Sequence, residues 1–191
     1  MEALTAGPAP APRHQVLVGT ALACVAMTML TGGMLGVWAV QRRSTLDTGA
    51  SWLPSGVTIP EVPTNVMLIA FPALCSFAQW AIWAAKRSDR ANTVFALAAT
   101  AFVGLLIINA QAFVYTQMHL GVADGAYGSM FFAITGMFVA LMVAGLLFTV
   151  VTMFRYLGGR SEPELLVAHA VFWYAMLAVY TAIWFVVYVT K

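Results

Sequence analysis

The segment GAYGSMFFAITGMFVALMVAGLL, from Gly125 to Leu147, contains no Asp, Glu, Lys, Arg or His. A helix needs roughly 20 mainly apolar residues to cross the hydrocarbon core of a membrane. Every backbone N–H and C=O must then be paired inside the segment, because no water is available there. The segment therefore predicts a membrane-spanning helix.

The rest of the chain has the same character. Of its 191 residues 62% are hydrophobic and 8% are charged, with a mean hydropathy of +0.87, whereas about a quarter of the residues of a soluble domain are charged. We predict an all-α integral membrane protein with one membrane domain at residues 15–191, preceded by a disordered cytoplasmic tail at 1–14. The predicted spanning helices of this bundle are 15–40, 65–85, 91–115, 127–154 and 165–189.

The longest predicted connection is 41–64, where Pro54, Pro60 and Pro63 favour extended and turning backbone over helix. Basic residues tend to remain in the cytoplasm during insertion, so they indicate orientation. With the N-terminus in the cytoplasm, the outer side has only Arg42, Arg43 and Lys191, and the inner side has Arg13, Lys86, Arg87, Arg90, Arg155 and Arg160. We therefore predict a cytoplasmic N-terminus and a C-terminus outside.

Small residues recur at helical spacing in three of the predicted spans, and on the third helix they are Ala96, Thr100 and Gly104. Helices in lipid associate through close backbone approach at such residues and through interhelical hydrogen bonds. The spacing predicts a close helix contact on the face of Gly32 and Gly36, or on the face of Gly136, Ala140 and Ala144.

Polar side chains within the spans are few. Gln111 and Tyr115 lie one turn apart on the third helix, and we expect them to point into the bundle as hydrogen-bonding groups. Asp, Glu, Lys and Arg, the usual marks of transport or proton relay, are absent from the helix interiors. The polar groups therefore favour packing over an ion or proton path.

No catalytic, cofactor-binding or metal-binding residue is predicted in this chain. His14, His119 and His169 are too far apart along the helices to share a metal, and the chain has no paired carboxylates, Ser/His/Asp set or phosphate-binding glycine loop. The net charge of +2 gives no reason to expect a nucleic-acid partner. Arg87, Arg155 and Arg160 are candidates for contact with anionic phospholipid head groups.

The stretch GLLIINAQAFVYTQMHLGVADGAYGSMFFAITG, Gly104 to Gly136, resembles subunit III of the haem-copper cytochrome c oxidases. In that family a helix ends in a Gln-x-x-Glu-Tyr-type motif, and after a short loop come Tyr-Gly-Ser, an aromatic pair and Thr-Gly. The aromatic segment FWYAMLAVY, Phe172 to Tyr180, is similar to part of the family's last helix. The residues kept in order are Gln111, Tyr115, Tyr127, Gly128, Ser129, Phe131, Phe132, Thr135, Gly136 and Gly145.

The resemblance also has departures, because the family's ionisable intramembrane residues align with apolar or aromatic side chains here. These positions are Met27, Val114, Phe138, Leu141, Tyr174 and Leu177. The chain is therefore strongly diverged, and the loss of these groups argues against direct proton handling. Five helices match the short bacterial form of the subunit, which implies a multi-pass protein of the bacterial inner membrane.

The resemblance implies a non-catalytic membrane subunit of a haem-copper terminal oxidase in aerobic respiratory electron transport. Such a subunit packs against the catalytic subunit I, which holds the haem and copper, contacts other oxidase subunits and binds phospholipid. It would support assembly, stability and lipid packing. A subunit associated with a nitric-oxide reductase, a membrane assembly or scaffold protein outside the oxidases, and a small transporter remain as alternatives.

Overall fold

The computed structural model describes residues 14–159 and 162–190. These residues form five α-helices, and the fifth ends in a π-helical turn, Trp184–Val189. Each helix is long and apolar enough to cross a membrane, which confirms the predicted all-α fold. Of the predicted tail only His14 is described, and Arg160 also lies outside the described residues. The helices are α1 Gln15–Asp47, α2 Glu61–Lys86, α3 Arg90–Met118, α4 Gly125–Leu157 and α5 Pro163–Ile183.

The first connection is shorter than predicted because helix extends into it from both sides. α1 continues through 41–47, a polar stretch without Pro or Gly, so nothing in it stops a helix that has left the apolar region. α2 begins at Glu61 and holds Pro63 in its first turn, where the missing N–H would have no helical partner. The prediction of non-helical chain over 41–64 was therefore wrong at both ends.

Helix α5 lies at the centre of the bundle, against α1, α2 and α4, and α3 packs against α2 and α4. Aromatic rings hold the middle together: the ring centroid of Tyr180 is 5.1 Å from that of Phe71 and 5.0 Å from that of Phe138. The Tyr180 hydroxyl also donates a hydrogen bond of 2.9 Å to the carbonyl of Thr64. These contacts join α2, α4 and α5 in one core.

One end of the bundle, called here the basic end, carries Lys86, Arg87, Arg90 and Arg155. Polar contacts fix the helix termini there. The Asp89 carboxylate caps α3 by accepting from the Asn92 backbone N–H at 3.1 Å and from its side-chain amide at 2.6 Å. These hydrogen bonds hold the pKa of Asp89 below its usual value. That this end faces the cytoplasm stays a prediction.

Two more contacts at the basic end cross between helices. The Arg90 guanidinium donates to the carbonyl of Leu157 at the end of α4. The Glu164 carboxylate of α5 accepts a 2.9 Å hydrogen bond from the Leu17 N–H in the first turn of α1. Both contacts satisfy backbone groups that a helix end leaves without a partner in its own helix.

Candidate functional site

The predicted packing face of α1 points away from the rest of the chain. Gly32 and Gly36 are exposed, and a Cβ added at either position would meet no atom within 4 Å. α1 contacts the bundle through the opposite side, which carries Cys24, Met27, Thr31, Leu35 and Trp38. Gly32 and Gly36 therefore make no close contact with the described residues, and a helix contact on this face stays a prediction for the assembled complex.

The predicted packing face of α4 also lies on the outside. Gly136, Ala140 and Ala144 are exposed, and a Cβ on Gly136 would meet nothing within 4 Å. The close approach on α4 occurs instead at buried Gly145, where a Cβ would lie 2.5 Å from the Phe172 ring and 2.9 Å from the Trp173 ring. Gly136 thus makes no close contact with the described residues, because spacing identifies a stripe of small residues but not the direction in which it faces. A contact with another subunit on this face stays a prediction.

Gln111 and Tyr115 lie against other helices. Gln111 is buried, and its Oε1 accepts a 3.2 Å hydrogen bond from the Tyr188 hydroxyl of the π-helical turn. The ring centroid of Tyr115 is 6.1 Å from that of Phe131 and 5.2 Å from that of Phe132, both on α4. This face of α3 thus connects the helix to α4 and to the end of the chain.

A buried polar cluster links α4 to α5 around His169, which sequence reasoning treated only as an isolated histidine. Its Nε2 lies 2.9 Å from Thr149 Oγ1 and 3.0 Å from Trp173 Nε1. Trp173 Nε1 is also 3.1 Å from Thr149 Oγ1. An indole N–H can only donate, so Trp173 supplies one hydrogen to this cluster, which Thr149 Oγ1 and His169 Nε2 can share. The spacing of His169 and Trp173, one helical turn, was the available sequence signal.

At the basic end, two of the three lipid-contact candidates are described. The Arg87 guanidinium carbon lies 3.7 Å from the centre of the half-exposed Trp83 ring, a cation–π contact that leaves its charge at the surface. Arg155 forms an ion pair with Glu162. Among residues 14–159 and 162–190, Arg87 therefore has no acidic partner, whereas the charge of Arg155 is partly balanced by Glu162.

No three His, Cys, Asp or Glu side chains come close enough to hold a metal ion within 14–159 and 162–190. His14 lies near Glu164, with Nδ1 3.9 Å from Oε2, and His169 bonds to Thr149 and Trp173. The chemistry available to these residues is hydrogen bonding and helix packing.

Gln111 on α3 and Tyr127 in the first turn of α4 are thus both buried in a bundle of long apolar helices. A family profile described as "Cytochrome c oxidase subunit III" matches residues 13–191 of the chain. The chain belongs to the cytochrome c oxidase subunit III family.

This subunit III family member is similar to proteins named "Cytochrome c oxidase subunit 3" from distant organisms, and the sequence identity is nearly the same in each case. The one from Xenopus laevis is 32% identical over 124 residues, covering 62% of this chain and 47% of the relative. The one from Strongylocentrotus purpuratus is 29% identical over 150 residues, covering 75% and 55%. The one from Marchantia polymorpha is 29% identical over 126 residues, covering 63% of this chain and 46% of the relative. The chain spans about half the length of these relatives.

The subunit III resemblance aligns six ionisable family positions with apolar or aromatic residues, and three of these residues lie fully in the core of this chain. Met27, Val114 and Phe138 are all buried and belong to the hydrophobic core. At such positions a charge would need a partner, because burying an isolated ion is very costly. At Met27, Val114 and Phe138 the chain therefore has apolar packing.

Proposed function

We propose that this chain is a non-catalytic membrane subunit of a haem-copper terminal oxidase in aerobic respiratory electron transport. Its task is to support the assembly, stability and lipid packing of the catalytic subunit I. The match of the subunit III family over residues 13–191 carries this proposal. The haem and copper belong to the partner subunit, and the complex resides in the bacterial inner membrane.

The outward faces of α1 and α4 support a role in assembly. Gly32, Gly36 and Gly136 are exposed, with open space around each, so another helix could approach the backbone closely there. Ala140 and Ala144 continue the face of α4. We propose that subunit I or another oxidase subunit covers one of these faces in the complex.

Purification of the natively expressed chain in mild detergent tests the proposal. We expect a partner chain with haem absorbance and bound copper to migrate with it, identified by mass spectrometry. Copurification with partners that lack haem would support a scaffold protein outside the oxidases. Solute uptake by liposomes that contain the chain alone would support a transporter. Either result contradicts the oxidase proposal.

Replacing Gln111 with Leu will lower the yield of assembled complex while leaving turnover per assembled complex, and its pH profile, nearly unchanged. The substitution removes the acceptor of the Tyr188 hydroxyl, which costs about 1–3 kcal/mol when a buried donor loses its partner. Complex yield, oxygen consumption per haem and its pH dependence are the measurements.

The control for Gln111→Leu is Asn109→Leu, which removes an exposed amide from the same helix. Asn109→Leu should leave both yield and turnover unchanged. A large fall in turnover at full assembly for Gln111→Leu, with a shifted pH optimum, would reveal a proton path through α3 and contradict a packing role.

Replacing Arg87 and Arg155 together with Gln will reduce the anionic phospholipid bound to the purified chain. Each basic residue near an anionic surface contributes about 1 kcal/mol to the attraction. We expect Arg87→Gln alone to account for most of the loss, because Arg155 already pairs with Glu162. Native mass spectrometry with phosphatidylglycerol measures the bound lipid, and Arg43→Gln at the opposite end is the control. Equal lipid retention in all variants would remove the head-group proposal.

A further inference from the structure

Three aromatic side chains meet at the end of the bundle opposite the basic end. Trp38 comes from α1, Trp52 from the connection between α1 and α2, and Tyr127 from the first turn of α4. The ring centroids are 5.1 Å apart for Trp38 and Trp52, 5.2 Å for Trp38 and Tyr127, and 5.5 Å for Trp52 and Tyr127. Each ring therefore contacts the other two, and we call this set the aromatic triad.

Each ring of the aromatic triad carries one polar atom that lacks a hydrogen bond to any described residue. These atoms are Nε1 of Trp38, Nε1 of Trp52 and the hydroxyl oxygen of Tyr127. The side chains are 1%, 5% and 3% exposed, respectively. More than nine in ten buried polar groups in proteins have a partner, so three in one cluster indicate a ligand for them.

The chemistry of the three atoms restricts that ligand. An indole N–H can only donate, so at least two of the groups need a hydrogen-bond acceptor. The rings pack at 5.1 to 5.5 Å and are almost fully buried, so a small acceptor suits the site best. Water is the smallest such acceptor, and a buried water usually bridges two to four polar groups, about three on average.

We propose that the aromatic triad binds ordered water, which bridges Trp38, Trp52 and Tyr127 and thereby fastens the connection 48–60 to α1 and α4. The position fits this ligand, because Tyr127 lies in the first turn of α4 and Trp52 lies outside the helices. Tryptophan and tyrosine favour this level of a membrane, where their rings are in apolar surroundings and their polar atoms can reach water.

The first test is water-edited solid-state NMR of the full chain in lipid bilayers, with 15N-labelled tryptophan. We expect rapid magnetisation transfer from water to the Trp38 and Trp52 indole N–H groups. Trp173 is the internal control, because its indole N–H bonds to Thr149 and His169 inside the bundle. Transfer to Trp38 that is as slow as transfer to Trp173 overturns the proposal, because it would mean that no water bonds to the Trp38 indole N–H.

The second test compares Tyr127→Phe with Tyr180→Phe in the full chain. Tyr180 is the matched control, since its buried hydroxyl bonds to the Thr64 carbonyl and its loss must cost a hydrogen bond. If water occupies the triad, both variants should lower the melting temperature, by about 2–4 °C each. If the Tyr127 hydroxyl has no ligand, its removal relieves an unpaired buried group, and an unchanged or higher melting temperature overturns the proposal.

Discussion

Replacing Gly145 with Ala will destabilise the isolated chain, whereas replacing Gly136 with Ala on the same helix will not. At position 145 the new methyl group would lie 2.5 Å from Phe172 and 2.9 Å from Trp173, and at position 136 it would meet nothing within 4 Å. Trp173 is fully buried and held by hydrogen bonds, so it has little freedom to move aside. Such overpacking costs about 1–3 kcal/mol.

The two glycines form a matched pair, because both lie inside α4 and both substitutions gain the same helix propensity, about 1 kcal/mol. The difference between the two unfolding free energies, measured by reversible denaturation in detergent, isolates the steric cost. Equal stability of the two variants would mean that α4 and α5 do not pack as described. In the assembled complex, Gly136→Leu tests the proposed partner contact. The larger side chain should lower the yield of complex only if another subunit covers this face of α4.

Replacing Thr149 with Val will also lower the stability of the chain, by about 1–3 kcal/mol. The change keeps the shape of the side chain but removes the oxygen that lies 3.1 Å from Trp173 Nε1 and 2.9 Å from His169 Nε2. Both partners are buried, so water cannot readily replace the lost contact. Thermal unfolding of the full chain measures the effect.

Thr152→Val is the control for the hydroxyl itself. Thr152 is buried on α4 like Thr149, but within the described part of the chain its hydroxyl donates only to the Phe148 carbonyl of its own helix. A double-mutant cycle of Thr149→Val with His169→Leu should give a coupling of about 0.5–3 kcal/mol, as expected for residues of one hydrogen-bond network. Thr149 and Thr152 variants of equal stability, without coupling to His169, would contradict an interhelical link.

The helices and the family could be predicted from the sequence, but the glycine at which two helices pack closely could not. Gly32, Gly136 and Gly145 occupy similar apolar surroundings in the sequence, yet only Gly145 faces another helix of the chain. In a soluble helix the polar side would have identified the exposed face. Here exposed residues such as Leu22, Met29 and Leu147 are as apolar as those in the core, so periodicity does not reveal which way a helix is rotated.

The buried polar clusters were missed for a related reason. His169 and Trp173 stand one turn apart in the sequence, but Thr149 joins them only because α4 lies against α5. The aromatic triad similarly brings together Trp38, Trp52 and Tyr127 from three separate segments. Such contacts depend on the relative rotation and depth of the helices, and no local pattern encodes either quantity.

The sequence by itself determined that this protein lies in a lipid membrane, that it forms five helices and which family it resembles. Long apolar runs with few charges leave the backbone no stable arrangement in lipid other than helices that pair their own polar groups. Only the tertiary structure decided which glycine permits a close contact and which polar side chains meet. Lipid and protein core are equally apolar, so the inward face is selected by the fit between side chains of neighbouring helices and not by hydrophobicity.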